Sequence, residues 1–535
     1  MACATETGPL DVLVVGAGVA GCEAALAAAG SGARVAVASA GGTFSGSSFF
    51  PGTWGLGLVG PRDEHDVDDL VDAICAVGRG VASPALARAL VEGVPAAVAR
   101  LGARGVELRS AERPDERDFI PCFDRHTRSW HGLVRASYRA ATARALAAAG
   151  VTELERCELI DLVEKDGRVC GARLLDGGSG RARTVAAGAV VLATGGFGGL
   201  FGRTLTTPDV AGTAAAVALR HGARLVNVEF IQIMPGLVEP VRGVVFNERT
   251  FRYARVEGLD AAESAALLDE RGGHGPFTAS LPDRVVDLAI AAAGPRGAEV
   301  GYDLPDRLPE FMQTYFDWFE GAFGQRPDEG VRIAPYAHAS NGGILVDAHG
   351  STGVAGLFAC GEATGGMHGA DRIGGLSSAN ALVFGHAAGL AAAAWAAGPG
   401  AGAGSAAGPG EAAAAASPHE RTVLLALRRA LDEHCLLTRT EDGLRKTGHL
   451  LDELEARLGD AAAPRCRNAL LSSRALVCAM LARTESRGAH FRADFPSEDP
   501  AQAWPLVVAL GADGRPVATP LGRATGADAG DGTSR

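Results

Sequence analysis

Near its start the chain passes from an apolar run, Asp11-Val12-Leu13-Val14-Val15, straight into Gly16-Ala17-Gly18-Val19-Ala20-Gly21 and then an Ala-rich stretch. That order predicts a buried strand, a tight glycine turn and a helix whose first N–H groups stay unpaired. The glycines admit close backbone approach by a pyrophosphate, and the helix N-terminus supplies donors and a positive end for it. By itself the spacing has a bland reading, a structural glycine turn, because 74 glycines generate it by chance.

Two later runs favour the functional reading. Ala189-Val190-Val191-Leu192-Ala193-Thr194-Gly195-Gly196 reads as a second buried strand ending in a glycine turn. Gly356-Leu357-Phe358-Ala359-Cys360-Gly361-Glu362 reads as a third, whose terminal carboxylate can accept ribityl hydroxyls. It leads into Gly365-Gly366-Met367-His368-Gly369-Ala370-Asp371-Arg372-Ile373-Gly374-Gly375, so that one cofactor site is closed from both ends of a long segment. Three such elements in order point to FAD rather than NAD, with Gly16, Gly18, Gly21, Thr194, Gly195, Gly361 and Glu362 as cofactor-binding residues.

Length and charge narrow the class. At 535 residues and 47% hydrophobic content the chain can bury a large core in two or three domains. A net charge of −12 argues against a nucleic-acid surface. Lys165 and Lys446 are the only lysines, which reads as codon bias rather than chemistry. The ten cysteines contain no C-x-x-C pair, so neither zinc nor iron–sulfur ligation is expected, and unpaired thiols suit a reducing compartment. With no leader-type N-terminus and no expected membrane span, the reading is a soluble cytoplasmic protein.

The expected fold is α/β. A FAD-binding doubly wound (Rossmann-like) domain occupies residues 10–235 and 335–397, and an α+β capping domain is inserted at 236–334, where aromatics rise around Phe311-Met312-Gln313-Thr314-Tyr315-Phe316-Asp317-Trp318-Phe319. A Gly/Ala/Pro linker follows at 398–418. A C-terminal helical bundle is expected at 419–505, with breaks at Gly443 and around Pro464, and a flexible tail at 506–535.

Taken together, these residues resemble the flavoprotein family of succinate dehydrogenase, fumarate reductase and L-aspartate oxidase, over about residues 10 to 505. Glu485-Ser486-Arg487-Gly488-Ala489-His490-Phe491-Arg492 is similar to the family's C-terminal signature. Toward the N-terminus the details lean to L-aspartate oxidase. Ser39 ends the second strand where many FAD proteins carry a ribose-binding acid, and Gly46-Ser47-Ser48-Phe49-Phe50 is similar to the flavin-side loop. Membrane-bound relatives carry a covalently flavinylated histidine at the position of Ser47, and serine cannot form that bond, so the resemblance implies noncovalent FAD.

The resemblance also assigns substrate residues. Arg372 matches the family's carboxylate-binding arginine, here in Ala370-Asp371-Arg372, and bidentate guanidinium recognition explains the residue type. His338 matches a substrate-binding histidine, although Ala339 stands where tyrosine is common; His368 matches a flavin-side histidine and Ser377 the serine of an Asn-Ser pair. The bland readings are an Arg372 paired with a nearby acid and a structurally satisfied His338. The Gly374-Gly375-Leu376-Ser377-Ser378 stretch is expected to open a helix toward the flavin pyrimidine.

Several positions depart from the family. Its Gln-Phe-His-Pro-Thr segment reads Gln232-Ile233-Met234-Pro235-Gly236, and methionine removes one carboxylate partner. The Thr-Glu-x-x-Arg-Gly-Glu-Gly segment is replaced by Val244-Val245-Phe246-Asn247-Glu248-Arg249-Thr250-Phe251-Arg252. The catalytic arginine, normally in an Arg-Asp pair, meets Asp283-Arg284 in swapped order; one residue of shift rotates a helical side chain by roughly 100 degrees. Arg284 is the expected catalytic arginine, and Arg249, Arg252 and Arg255 are alternatives, at least two of them read as solvated surface. The acid that meets the substrate ammonium in L-aspartate oxidases is absent from Cys122-Phe123-Asp124-Arg125-His126-Thr127-Arg128-Ser129-Trp130-His131.

The resulting expectation is an FAD oxidoreductase that interconverts a small carboxylate and its unsaturated or imino counterpart. Arg284, His338 and Arg372 are its catalytic residues, and Met234 is the contact for an apolar end of a monocarboxylate. The electron donor or acceptor is left open. The alternative is a flavin-bearing electron-transfer subunit with no carboxylate chemistry of its own.

Overall fold

A computed structural model describes residues 10–398, 417–459 and 462–522. Its centre is a parallel sheet in which Leu10–Val15 lies between Val35–Ala38 and Arg181–Leu192, with Thr152–Leu154 beyond the first and Leu357–Ala359 beside the second. These strands are near-continuous Val, Ala and Leu because helices or further sheet cover both faces. Arg168–Asp176 and Cys157–Lys165 extend the sheet antiparallel. On one face the helices Val19–Gly30 and Leu376–Ala396 pack closely; a methyl at Gly389 would meet the Ala24 carbonyl at 2.2 Å. Leu376–Ala396 is long and apolar enough to cross a membrane by length and composition, but its apolar side chains serve this contact and 56% of the apolar window is buried inside the protein.

A second unit is built on the antiparallel sheet Ile231–Glu239, Val331–Ser340, Ala298–Tyr302 and Ala254–Val256. The helices Ala261–Arg271, Arg284–Ala292 and Glu310–Phe323 accompany it, and Leu237, Phe251, Val286, Phe316 and Phe319 form its core. Its two long strands run through the expected limits at 235/236 and 334/335. Pairing such as Gly236 with Ala334 makes those positions mid-ladder rather than junctions.

Three helices, Pro418–His434, Glu441–Leu458 and Pro464–Ala482, make the C-terminal layer. Pro464 opens its helix as expected, but Gly443 is no break: it lies in the first turn of Glu441–Leu458, where Thr440 Oγ1 accepts its N–H. The expected linker lies outside the described residues except at its ends, where Ser417 and Glu420 form a reciprocal cap on Pro418–His434. The expectation of a flexible tail from 506 is wrong for its first part. Leu506–Leu510 and Pro516–Pro520 form a hairpin that pairs with Leu225–Val226, because Leu506, Val507 and Val508 find an apolar seat that composition could not reveal. Residues 523–535 lie outside the described residues.

Candidate functional site

Between Leu10–Val15 and Val19–Gly30 the glycine turn divides its labour. Gly16 has φ +112°, and a Cβ there would lie 2.2 Å from the Ala193 carbonyl oxygen. At Gly21 a Cβ would lie 1.7 Å from the Gly16 carbonyl oxygen, so this residue serves helix–strand contact. At Gly18 no atom of a non-neighbouring described residue lies within 4 Å of the Cβ position, and among the described residues no side chain caps the helix it begins. The turn therefore presents open space and unpaired N–H groups to one cleft.

That cleft holds about 1510 Å³ of empty space, solvent at its mouth included, and is lined by Gly16, Gly18, Ser39, Ser47, Ser48, Thr194, Gly195, Glu362, Arg372 and Ser377. Ser39 Oγ donates to the Gly42 carbonyl at 3.2 Å. Ser47 Oγ and Thr194 Oγ1 are buried with no hydrogen-bond partner among the described residues, which marks them as groups awaiting one. Glu362 accepts the Ser340 N–H at 3.0 Å, and burial pushes its carboxyl up from the ordinary range. Gly375, φ +80°, begins Leu376–Ala396 with no side-chain cap among the described residues, and Ser377 lies in that helix's first turn. Two expected residues only shape the walls. Gly361, φ +68°, faces Ala20, where a Cβ would lie 2.5 Å away. His368 is buried outside the cleft lining, its Nδ1 without a partner among the described residues, and its carbonyl lies 2.8 Å from where a Cβ at Gly78 would be.

A second chamber opens from the cleft and shares Thr53, Gly55, Leu56, Gly57, His338 and Gly375 with it. His338 is placed there by a β-bulge. Gln232 pairs with Ala339 and Ile233 with Ala337, leaving His338 unopposed and re-aimed. Burial and the nearby Arg372 guanidinium push His338 down to about 4, so it is neutral at pH 7, and its Nδ1 has no partner among the described residues.

Arg372 directs Nε and Nη2 at Gln232 Oε1, 3.0 and 2.7 Å away, and Nη1 at the Ile373 carbonyl at 3.5 Å. Among the described residues no acid pairs with it, so the bland reading of an Arg372–Asp371 pair fails. Asp371 instead accepts from Thr278 Oγ1 at 2.7 Å, and burial pushes its carboxyl up to about 7. The C-terminal signature braces this loop: the Ala489 N–H donates to the Ala370 carbonyl at 3.1 Å, and a Cβ at Gly488 would lie 2.7 Å from Ala370. Buried Arg483 binds Glu229 and Glu485, and Arg487 binds Glu485, which fixes the signature in turn.

The structure corrects the catalytic arginine. Arg284 lies outside both cavities, donating to the Ala279 and Pro496 carbonyls with its guanidinium over the Phe491 ring. The swapped order places Asp283 inward instead, 2.7 Å from His274 Nε2. Arg249 lines the chamber. Its Nη atoms donate to the carbonyls of Gly272, Gly273 and Ile120, and its Nε is 3.7 Å from Glu248. Of the three alternatives only Arg255 is solvated; Arg252 is largely buried on Asp118. In the 122–131 segment, Arg128 is buried on Asp66 and Asp124, whereas Cys122 and Trp130 reach the chamber.

Met234 lines the chamber, beside an aromatic surface that the sequence reading missed: Trp54, Phe119, Trp130, Phe311 and Trp318. The available signal was the spacing Phe311, Thr314, Trp318 (i, i+3, i+7), which puts three chamber residues on one face of Glu310–Phe323.

Comparison with known proteins agrees with this geometry. The family described as FAD binding domain matches residues 11–378, and that described as Fumarate reductase flavoprotein C-term matches 425–513. L-aspartate oxidase of Mycobacterium leprae is 32% identical, covering 94% of this chain and 96% of its own. That of Halobacterium salinarum is 31% identical, over 92% and 97%. Among solved structures, Mycobacterium smegmatis Sdh1 in complex with UQ1 superposes with a TM-score of 0.76 at 25% identity, over 96% of this chain and 94% of that one. A mutant of the E. coli quinol fumarate reductase FrdA, at 23% identity and TM-score 0.76 over 96% of each chain, shares the fold. With both halves matched in order around this glycine cradle, the chain belongs to the flavoprotein family of succinate dehydrogenase, fumarate reductase and L-aspartate oxidase, the FAD-dependent oxidoreductases.

Proposed function

We propose that the protein is a soluble cytoplasmic enzyme that oxidises or reduces a small carboxylate, as its L-aspartate oxidase and fumarate reductase relatives suggest. The observation that carries this reading is Arg372, a buried cation with no acid partner among the described residues, beside neutral His338 where cleft and chamber meet. Such a guanidinium is stabilised by an incoming carboxylate, which it can clamp.

The cleft fits FAD. Gly18 leaves room for a pyrophosphate while Gly16 makes the tight turn against Ala193, Glu362 suits ribityl hydroxyls, and Ser39, Ser47, Ser48, Thr194 and Gly195 complete the lining. Serine at 47 leaves the cofactor noncovalently held. When bound, FAD supplies hydride exchange with the carbon next to the carboxylate. The protein's own part would be to orient that carbon through Arg372 and His338, and the N-terminus of Leu376–Ala396, which borders the cleft, would favour negative charge on the reduced cofactor. Arg249 with Glu248 replaces Arg284 as the pair that moves a proton in the chamber. The test is the visible spectrum of anaerobically reduced protein before and after each of a panel of carboxylates. Return of the oxidised bands with one of them supports the reading, and none responding indicates an electron-transfer subunit.

A further inference from the structure

The chamber's walls are built from rings locked edge to face. Trp54 meets Phe311 at 4.7 Å, Phe311 meets Phe119 at 5.9 Å, and Phe119 meets Trp130 at 5.1 Å, interplanar angles 76°, 88° and 68°. Trp318, Met234 and Val245 continue the same apolar lining. Rings held this way offer a preformed surface for another ring at little cost in ordering.

The chamber's two arginines, Arg109 and Arg249, are each held by partners of their own. Both Nη atoms of Arg249 are committed to backbone carbonyls, and Glu248 lies 3.7 Å from its Nε. Asp118 is paired with Arg252 at 2.7 Å, and burial raises its carboxyl. Arg109 stacks over Trp130 at 5.4 Å and donates Nη1 to Thr314. A C4 dicarboxylate would bring its second anion near Glu248, Asp118 and the apolar carbon of Met234, and the nearby cations Arg109 and Arg249 are engaged by Thr314 and Trp130 and by backbone carbonyls.

We propose that an aromatic monocarboxylate binds with its ring in the chamber, against the Trp54–Phe311–Phe119–Trp130 wall, and its carboxylate reaching past His338, which both cavities share, to Arg372 in the cleft. The inference rests on the reading that Arg372 clamps a carboxylate, and the test separates the two. Calorimetric titration of FAD-loaded protein with 3-phenylpropanoate and trans-cinnamate, against succinate and fumarate, is expected to give roughly 50-fold tighter binding of the aryl acids, the factor for about 100 Å² of apolar burial. Trp130→Leu is expected to narrow that ratio about fivefold, and Met234→His to shift it toward the diacids. Succinate or fumarate binding as tightly as the aryl acids overturns the proposal, as does a ratio unmoved by Trp130→Leu. If Arg372→Met leaves aryl-acid binding intact, the clamp itself is wrong; if it abolishes binding while Trp130→Leu changes nothing, only the aromatic class is.

Discussion

Gly18→Ala is expected to separate cofactor binding from folding, and Gly21→Ala to couple them. At Gly18 no atom of a non-neighbouring described residue lies within 4 Å of the added methyl, and φ −77° is one that alanine adopts without strain. At Gly21 the methyl would sit 1.7 Å from the Gly16 carbonyl oxygen, a backbone atom fixed by the strand-to-helix turn. Overpacking costs about 1–3 kcal/mol, and more where backbone must move. At roughly 1 °C per kcal/mol for a chain of this length, Gly21→Ala should lower the melting midpoint of the cofactor-free protein by about 1–3 °C. Gly18→Ala should leave that midpoint unchanged and weaken FAD at least tenfold, about 1.4 kcal/mol, because its methyl occupies space that only the cofactor needs. The assay is FAD titration followed by flavin fluorescence, with thermal melts of both variants without and with FAD. Parent-like FAD affinity in Gly18→Ala would falsify the placement of the pyrophosphate. A cofactor-free melt depressed as far as that of Gly21→Ala would refute the open cradle.

Arg372→Met is expected to cut kcat/KM for the turned-over carboxylate by about 10- to 150-fold, the range for one charged hydrogen-bonding partner. Arg284→Ala should change it by less than about twofold, and a larger fall would restore Arg284 to the site. Between about pH 6.5 and 4 the unfolded chain binds a proton that folded His338 refuses, so stability is lost as pH falls; His338→Gln should remove up to about 1.4 kcal/mol per pH unit of that slope in pH-dependent denaturant melts. Asp371 acts oppositely. Folded, it keeps its proton to about pH 7 while the unfolded carboxyl ionises from 3.8, so stability is lost as pH rises, and Asp371→Asn should be the more stable form above pH 7. Equal stability of parent and Asp371→Asn across that range would contradict the raised carboxyl. Deleting 506–535 uncovers Leu225 and loses three buried side chains worth about 1.5–3 kcal/mol each, so a melt identical to the full chain would show that the hairpin does not hold.

Much of the cofactor side was legible because it depends on local chain geometry. Glycine spacing beside an apolar run dictates a strand-to-helix turn, and Glu362 follows a strand for the same reason, so the cleft could be assembled residue by residue. Register was not legible in this way. The bulge that aims His338 exists only in the pairing of Ile231–Glu239 with Val331–Ser340. The pair Asp283-Arg284 shows the same limit: the swap was visible, but that the carboxylate would turn in to His274 and the guanidinium out to Pro496 was decided by neighbours far away in sequence.

From its sequence alone the chain had already determined a doubly wound sheet and an FAD cradle, and had singled out Arg372, since spacing, strand patterning and residue chemistry are properties of contiguous segments. Only the tertiary structure decided that Arg249 rather than Arg284 reaches the chamber, that Leu506–Leu510 is a paired strand, and that four rings from separate segments make one wall. The physical reason is that each of these depends on where a side chain is buried, and burial is a property of what packs against it from distant parts of the chain.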